Sequence, residues 1–227
     1  AVAIIGSRKM SLYGREAADI IAKDLARAGI TIVSGLAIGV DSAAHRAALD
    51  AGSRTLAVLG NGLATVYPAQ HRRLAEEVAE HGALISEMPM GATPDPGSFP
   101  QRNSIIAGLS LGVVVVEAGL KSGTQSTANF ALEENRAVYA VPGDITRVNS
   151  MGTNQLIKEG ARLITSGNDV IEDLAPQLAN LRPELASAVP SHFDTSIPLP
   201  TDLSEDEKNI LAALHLDPLS IESLTDA

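Results

Sequence analysis

The chain contains no cysteine and no tryptophan among its 227 residues. The first absence excludes disulfides, thiolate metal sites and cysteine nucleophiles, and it fits a reducing compartment. No apolar run approaches the roughly 20 residues that span a bilayer. Nor is there a charged-then-apolar leader with a small-residue cleavage site; Ala1 already lies inside the apolar stretch AVAII. A soluble protein is expected, cytoplasmic by default and with no membrane partner. Basic charge is also scarce: 17 Lys and Arg stand against 27 Asp and Glu, a net charge of −10. That balance argues against a nucleic-acid binder, whose electrostatic footprint is basic. The distribution changes the reading, because residues 1–174 carry 15 basic and 18 acidic side chains and residues 175–227 carry 2 and 9. Most of the acidity sits in the tail. Screening over about 8 Å makes near charges count most, so a local basic cluster in the first part stays compatible with the total.

A hydrophobic fraction of 45% over this length supports one sizeable core and a small second unit. Short apolar runs recur along the chain: AVAII (1–5), ITIVS (30–34), TLAVL (55–59), ALIS (83–86), VVVV (113–116) and AVYAV (137–141). Segments of helical period separate them, such as REAADIIAKDLARAG with Gly29 as its C-cap. Strands this uniformly apolar are buried on both faces, as in a parallel sheet covered by helices. Residues 1–174 are therefore expected to form an α/β domain with a Rossmann-like, mostly parallel sheet, ARLITSGNDVIEDL adding a last short strand and helix. Residues 175–203, rich in proline and without a sustained period, read as a linker. In 204–227, LSEDEKNILAALHL has Ser204 and Glu207 as a capping box. DPLSIESLTDA then makes a turn and starts a second helix, so this segment reads either as the start of a winged-helix-like unit or as a terminal helix docking on the main domain.

In doubly wound sheets ligands bind beyond the carboxyl ends of the strands. Four turns of small residues fall there: GSRKMSLYG (6–14), SGLAIGVDSAAH (34–45), FPQRNSIIAGLS (99–110) and the stretch after VVVV, EAGLKSGTQST. None has the terminal Gly-Lys-Ser/Thr of a P-loop, and GSRKMSLYG lacks the GxGxxG spacing, so NTPase and dehydrogenase chemistry are disfavoured. Converging Ser, Thr, Arg and Lys side chains suit phosphate oxygens, to which each gives a charge-assisted hydrogen bond.

Several single residues admit structural roles as readily as chemical ones. Asp41 and His45, at i and i+4, have no third ligand nearby, which favours a capping Asp and a packed His over a metal or acid/base pair. Glu117 reads as a partner for Arg102 rather than a catalytic carboxylate. Glu133 and Glu134 read as a solvated helix face. Ser122, Thr124 and Ser126 have no base at a required spacing, so capping and phosphate contacts fit them better than nucleophilic roles.

Taken together, GSRKMSLYG, SGLAIGVDSAAH, LGNGLATVYPAQHRRL, SEMPMGATPDPGSFPQRNSIIAGLS, VVVVEAGLKSGTQSTANFALEENRAVYAVPG and GTNQLIKEGA resemble the DNA-processing protein A family (DprA, also called Smf). The segments run in the family's order across residues 1–174. The resemblance implies an extended Rossmann-like core that binds single-stranded DNA without hydrolysing it and without a cofactor. It also implies a homodimer that loads the RecA recombinase in natural transformation. The family's DNA pocket is implied to fall on Ser7 and Arg8, on Arg102 and Asn103, and on Lys121, Ser122, Gly123 and Thr124, with Asn154 as a further position. A dimer surface is implied around Leu156 and Ile157. Gln101, Ser104, Ala64, His71, Gln125 and Ser126 depart from the family's usual residues. Lost basic side chains imply weaker phosphate binding, and with three Tyr and three Phe, base stacking is expected to contribute little.

Two other functions compete. GLKSGTQST with Glu133 loosely resembles the PGGxGT…E turn of nucleotide phosphoribohydrolases, though the first Pro-Gly pair is missing. A regulatory scaffold with a partner-binding C-terminal unit is the third.

Overall fold

The computed structural model describes residues 1–120 and 122–181. Seven strands form one sheet: β1 (Val2–Ile5), β2 (Ile32–Ser34), β3 (Thr55–Val58), β4 (Ala83–Ile85), β5 (Gly112–Val115), β6 (Ala137–Ala140) and β7 (Arg162–Leu163). Every pairing is parallel, in the order β4-β3-β2-β1-β5-β6-β7. The helices are α1 (Leu12–Arg27), α2 (Val40–Asp50), α3 (Arg72–His81), α4 (Ser98–Gly108), α5 (Thr124–Glu133), α6 (Val148–Lys158) and α7 (Gly167–Leu181). The expected α/β, Rossmann-like architecture is the one observed.

Alternation along the strands divides the core. Val2, Ile4 and Val114 pack with α1, α2 and α7 on one face of the sheet. Ala3, Ile5, Val113 and Val115 pack with α4, α5 and α6 on the other. Residues at i and i+2 point to the same side of a pleated strand, so a continuous apolar run is needed where both sides are covered.

Element ends follow local chemistry. Ser11 caps α1, its hydroxyl accepting from the Gly14 N–H at 3.1 Å. The helix closes on Gly29, at φ 74°, with Gly29 N donating to Ala26 O (2.9 Å) and Ile30 N to Leu25 O (3.0 Å). This is a Schellman closure, which needs a left-handed residue at that position.

One boundary moves. The linker expected from 175 does not begin there, because α7 runs to Leu181 with Pro176 inside it. Val170, Leu174 and Leu178 continue one buried stripe past residue 174. Pro176 lies on the exposed face, where water can satisfy the carbonyl that loses its donor. The rest of the expected linker and the expected helical unit at 204–227 lie outside the described residues.

Candidate nucleic-acid interface

The strand order reverses direction between β1 and β5, the point at which an open α/β sheet forms its binding crevice. A cleft of about 580 Å³ opens there. Ser7, Arg8, Arg102 and Asn103 line it, and so do Ser122, Gly123 and Thr124. Lys121 lies outside the described residues. Asn154 does not reach the cleft; its amide closes the loop after β6, donating to Gly143 O (2.9 Å) and accepting from Gly143 N (3.2 Å).

The wall formed by residues 6–11 is held from β5. Ser7 N donates to Glu117 O at 2.7 Å. The Glu117 carboxylate, 2% exposed, accepts from Ser11 N (2.8 Å) and from the Ser11 hydroxyl (2.5 Å). Glu117 is thus a brace for this turn and not the partner of Arg102. Behind it, Gly39 has φ 93°, and a Cβ there would collide with Ser7 O. Only glycine lets the two turns stack this closely.

Arg102 is 4% exposed and faces inward. Its Nη1 donates to Gly35 O at 2.7 Å and to Val58 O, and its Nε to Asn103 Oδ1 at 3.2 Å. Asn103 in turn donates to Ser126 Oγ at 2.9 Å. The pair therefore ties the ends of β2 and β3 to the first turn of α5 and forms the cleft floor. Asp41 lies behind, accepting from Gly35 N (3.2 Å) and Ala37 N (3.4 Å). Burial pushes its carboxyl above the ordinary range, against the pull of Arg102 and those two N–H groups. Burial likewise lowers Arg102, with Asp41 opposing, yet a guanidinium keeps its proton in proteins.

His45 is fully buried. The Thr55 hydroxyl donates to Ile32 O (3.0 Å), so His45 Nδ1–H must donate to Thr55 Oγ1 (2.7 Å). Its Nε2 has no partner among the described residues. Burial first, then the charge of Arg102, lowers its pKa to about 3, so the ring is neutral at ordinary pH. The packed His expected from the sequence is what the core contains, but Asp41 does not cap α2: the N-cap is Gly39, without a side-chain bond, and the Asp41 carboxyl braces the turn before the helix. His71 pairs its Nδ1 with Leu36 O at 2.8 Å. Leu36 sits at φ 58°, an unfavourable angle for a non-glycine residue, and this contact helps hold it.

The open side of the cleft carries the groups free to meet a ligand. Arg8 is exposed and lies over the Phe99 ring, 5.6 Å from its centroid. Tyr67 is 5.7 Å from the same ring. α5 opens at Thr124 with no side-chain cap, leaving early N–H groups beside the cleft; the Ser122 hydroxyl, buried beneath them, has no partner among the described residues. Phe99, Tyr67, Lys9 and Asn149 also line the cleft and were not singled out from the sequence. For Phe99, Tyr67 and Lys9 the only signal was membership of the quoted segments, since neither period nor spacing sets apart a lone aromatic after Gly-Ser; Asn149 lies between two of those segments and had none.

The family profile described as DNA recombination-mediator protein A matches residues 1–175. Protein Smf of Escherichia coli is 46% identical over 202 residues, covering 88% of this chain and 54% of that protein. The crystal structure of DNA processing protein A from Streptococcus pneumoniae superposes with a TM-score of 0.71 at 43% identity, covering 75% of this chain and 60% of that one. The Helicobacter pylori protein, whose structure is described for its single-stranded DNA binding mode, gives 0.71 at 33% identity, covering 78% and 80%. The chain spans about half the length of the E. coli relative. With its parallel sheet, its crevice between β1 and β5 and this match over residues 1–175, the chain belongs to the DNA recombination-mediator protein A family.

Proposed function

We propose that the cleft binds single-stranded DNA as a non-enzymatic site, and that the protein, as a homodimer, passes the strand to the RecA recombinase in transformation. The carrying observation is the make-up of the cleft lining: the cations Arg8 and Lys9 and the uncapped start of α5 at Thr124 stand together with the aromatic rings of Phe99 and Tyr67, Arg8 lying over Phe99. The first suits phosphate and the second suits the face of a base. Single-strand binding by the H. pylori relative supports the same reading. Lys121, next in sequence to the cleft residue Ser122, is assigned a phosphate contact. Arg102 acts from below by fixing the floor, and Asn154 acts through its loop.

The nucleotide-cleaving alternative gains little support. Glu133 is exposed, and the buried Glu117 is fully engaged by Ser11. Lossless recovery of nucleoside monophosphates after incubation with the protein is the expected result; release of free base would revive that reading.

The direct test is fluorescence anisotropy with labelled single strands, titrated with salt. Binding should weaken with salt at a log–log slope of about −0.7 per phosphate contact. In an Arg8→Ala, Lys121→Ala double variant, affinity should fall roughly tenfold or more and the slope should flatten by about 1 to 2. Unchanged affinity and slope in that variant refute the site.

A further inference from the structure

Fourteen large hydrophobic side chains are exposed among the described residues, and several gather on one flank of the cleft. Leu12 (71% exposed) and Tyr13 stand at the start of α1, Ile145 (83%) in the loop after β6, Val148 (68%) in the first turn of α6, and Leu120 in the loop after β5. Hydrogen bonds tie these segments into one surface. Tyr13 Oη donates to Pro142 O, Asn149 Nδ2 to Lys9 O, and Ala118 N to Asn149 O, each at 2.7 Å. Lys9 and Asn149 also line the cleft, so the surface is continuous with it.

Exposed apolar side chains gathered on one surface mark a place of contact. Among them stand the exposed cations Lys9, Arg15 and Arg147, which outnumber the exposed acids of the flank, Glu16 and Asp144. Asp144 pairs with Arg147 at 3.8 Å in an exposed, weak bridge that a phosphate can displace. The opposite flank, residues 86–103, has the contrary charge. Its exposed ionised groups are Glu87 and Asp95, and its one cation, Arg102, is buried in the floor. A polyanion leaving the cleft is repelled on that side and attracted on the other.

We infer that the α1/α6 flank, centred on Leu12, Ile145 and Val148 with Lys9 and Arg147, is a second contact surface over which a single strand runs on leaving the cleft. Bases lie on the apolar side chains and phosphates meet the cations. The inference rests on the strand-binding reading of the cleft and extends it. A cleft of about 580 Å³ seats only a short stretch of strand, and the flank accounts for the remainder of a longer footprint.

Oligomer length separates the two surfaces. The full chain is titrated by anisotropy with labelled oligothymidylates of about 4 and about 16 nucleotides, the span of common site sizes. An Ile145→Asp, Val148→Asp variant and a separate Arg147→Ala variant replace exposed side chains, and thermal denaturation checks that each stays folded. The expected result is a loss of roughly tenfold or more on the long strand in the aspartate variant, with short-oligomer affinity held within about twofold. Arg147→Ala should lower the long-strand salt slope by about 0.7 and leave the short-oligomer slope alone. Unchanged long-strand affinity overturns the inference. Equal losses on both lengths also overturn it, since the flank would then only be shaping the cleft. Retained strand binding with lost self-association in sedimentation would overturn it in favour of a protein-docking face. Short-oligomer binding untouched by Arg8→Ala would strike the cleft reading itself, and this extension with it.

Discussion

Two arginines on the same cleft have opposite physical characters. Arg8 is exposed and lies over an aromatic face, while Arg102 is buried and donates to the carbonyls of Gly35 and Val58. Arg8→Ala should change stability by no more than about 0.5 kcal/mol while weakening strand binding. Arg102→Ala strips two buried carbonyls of their donor and leaves Asp41 uncompensated, a loss of about 3 kcal/mol or more. Urea denaturation of the two variants beside anisotropy distinguishes a binding arginine from a framework one. His45 gives a pH signature. Its folded pKa of about 3 lies below the unfolded value, so the unfolded chain binds the extra proton and stability falls as pH drops from about 6.5. The loss attributable to this ring should reach about 2 kcal/mol by pH 5. Asp41 works the other way, since burial raises its pKa and the folded state keeps a proton that the unfolded state releases as pH rises above about 3.8. Comparing the pH–stability curve of His45→Gln with that of the parent isolates the histidine; identical slopes between pH 5 and 7 would show that the ring is not the source.

At the level of elements, α7 shows where composition misleads. Proline at 176 and at later positions suggested a linker, yet Leu174 and Leu178 complete the stripe that α7 lays on α1. Leu178→Ala should cost about 2 to 3 kcal/mol in chemical denaturation. A linker residue would cost almost nothing. The strands, by contrast, were legible to within a residue or two, because VVVV or TLAVL between turn residues has no stable place other than a sheet covered on both sides. Gly29 was legible as a C-cap for the same local reason: the left-handed angle is set within one turn of chain. Glu117 was not legible. Its sequence position after β5 says that it sits at the crevice, while its engagement with Ser11 depends on a contact between residues 106 apart.

For the whole molecule, a net charge of −10 hides a cleft whose exposed ionised groups are cationic at Arg8 and Lys9. Charge acts over roughly a Debye length, so local arrangement decides which ligand is attracted. The sequence by itself determined the α/β class, the parallel order of alternating elements and the family, because these rest on apolar period, turn chemistry and ordered motifs. It also brought Ser7, Arg8, Asn103, Ser122, Gly123 and Thr124 to notice as candidates. Only the tertiary structure decided that Arg102 faces inward, that Asn154 holds a neighbouring loop, that Phe99 and Tyr67 form the apolar wall, and that exposed Leu12, Ile145 and Val148 share one flank. Each of those depends on which residues distant in sequence meet across the sheet, and periodicity is blind to such contacts.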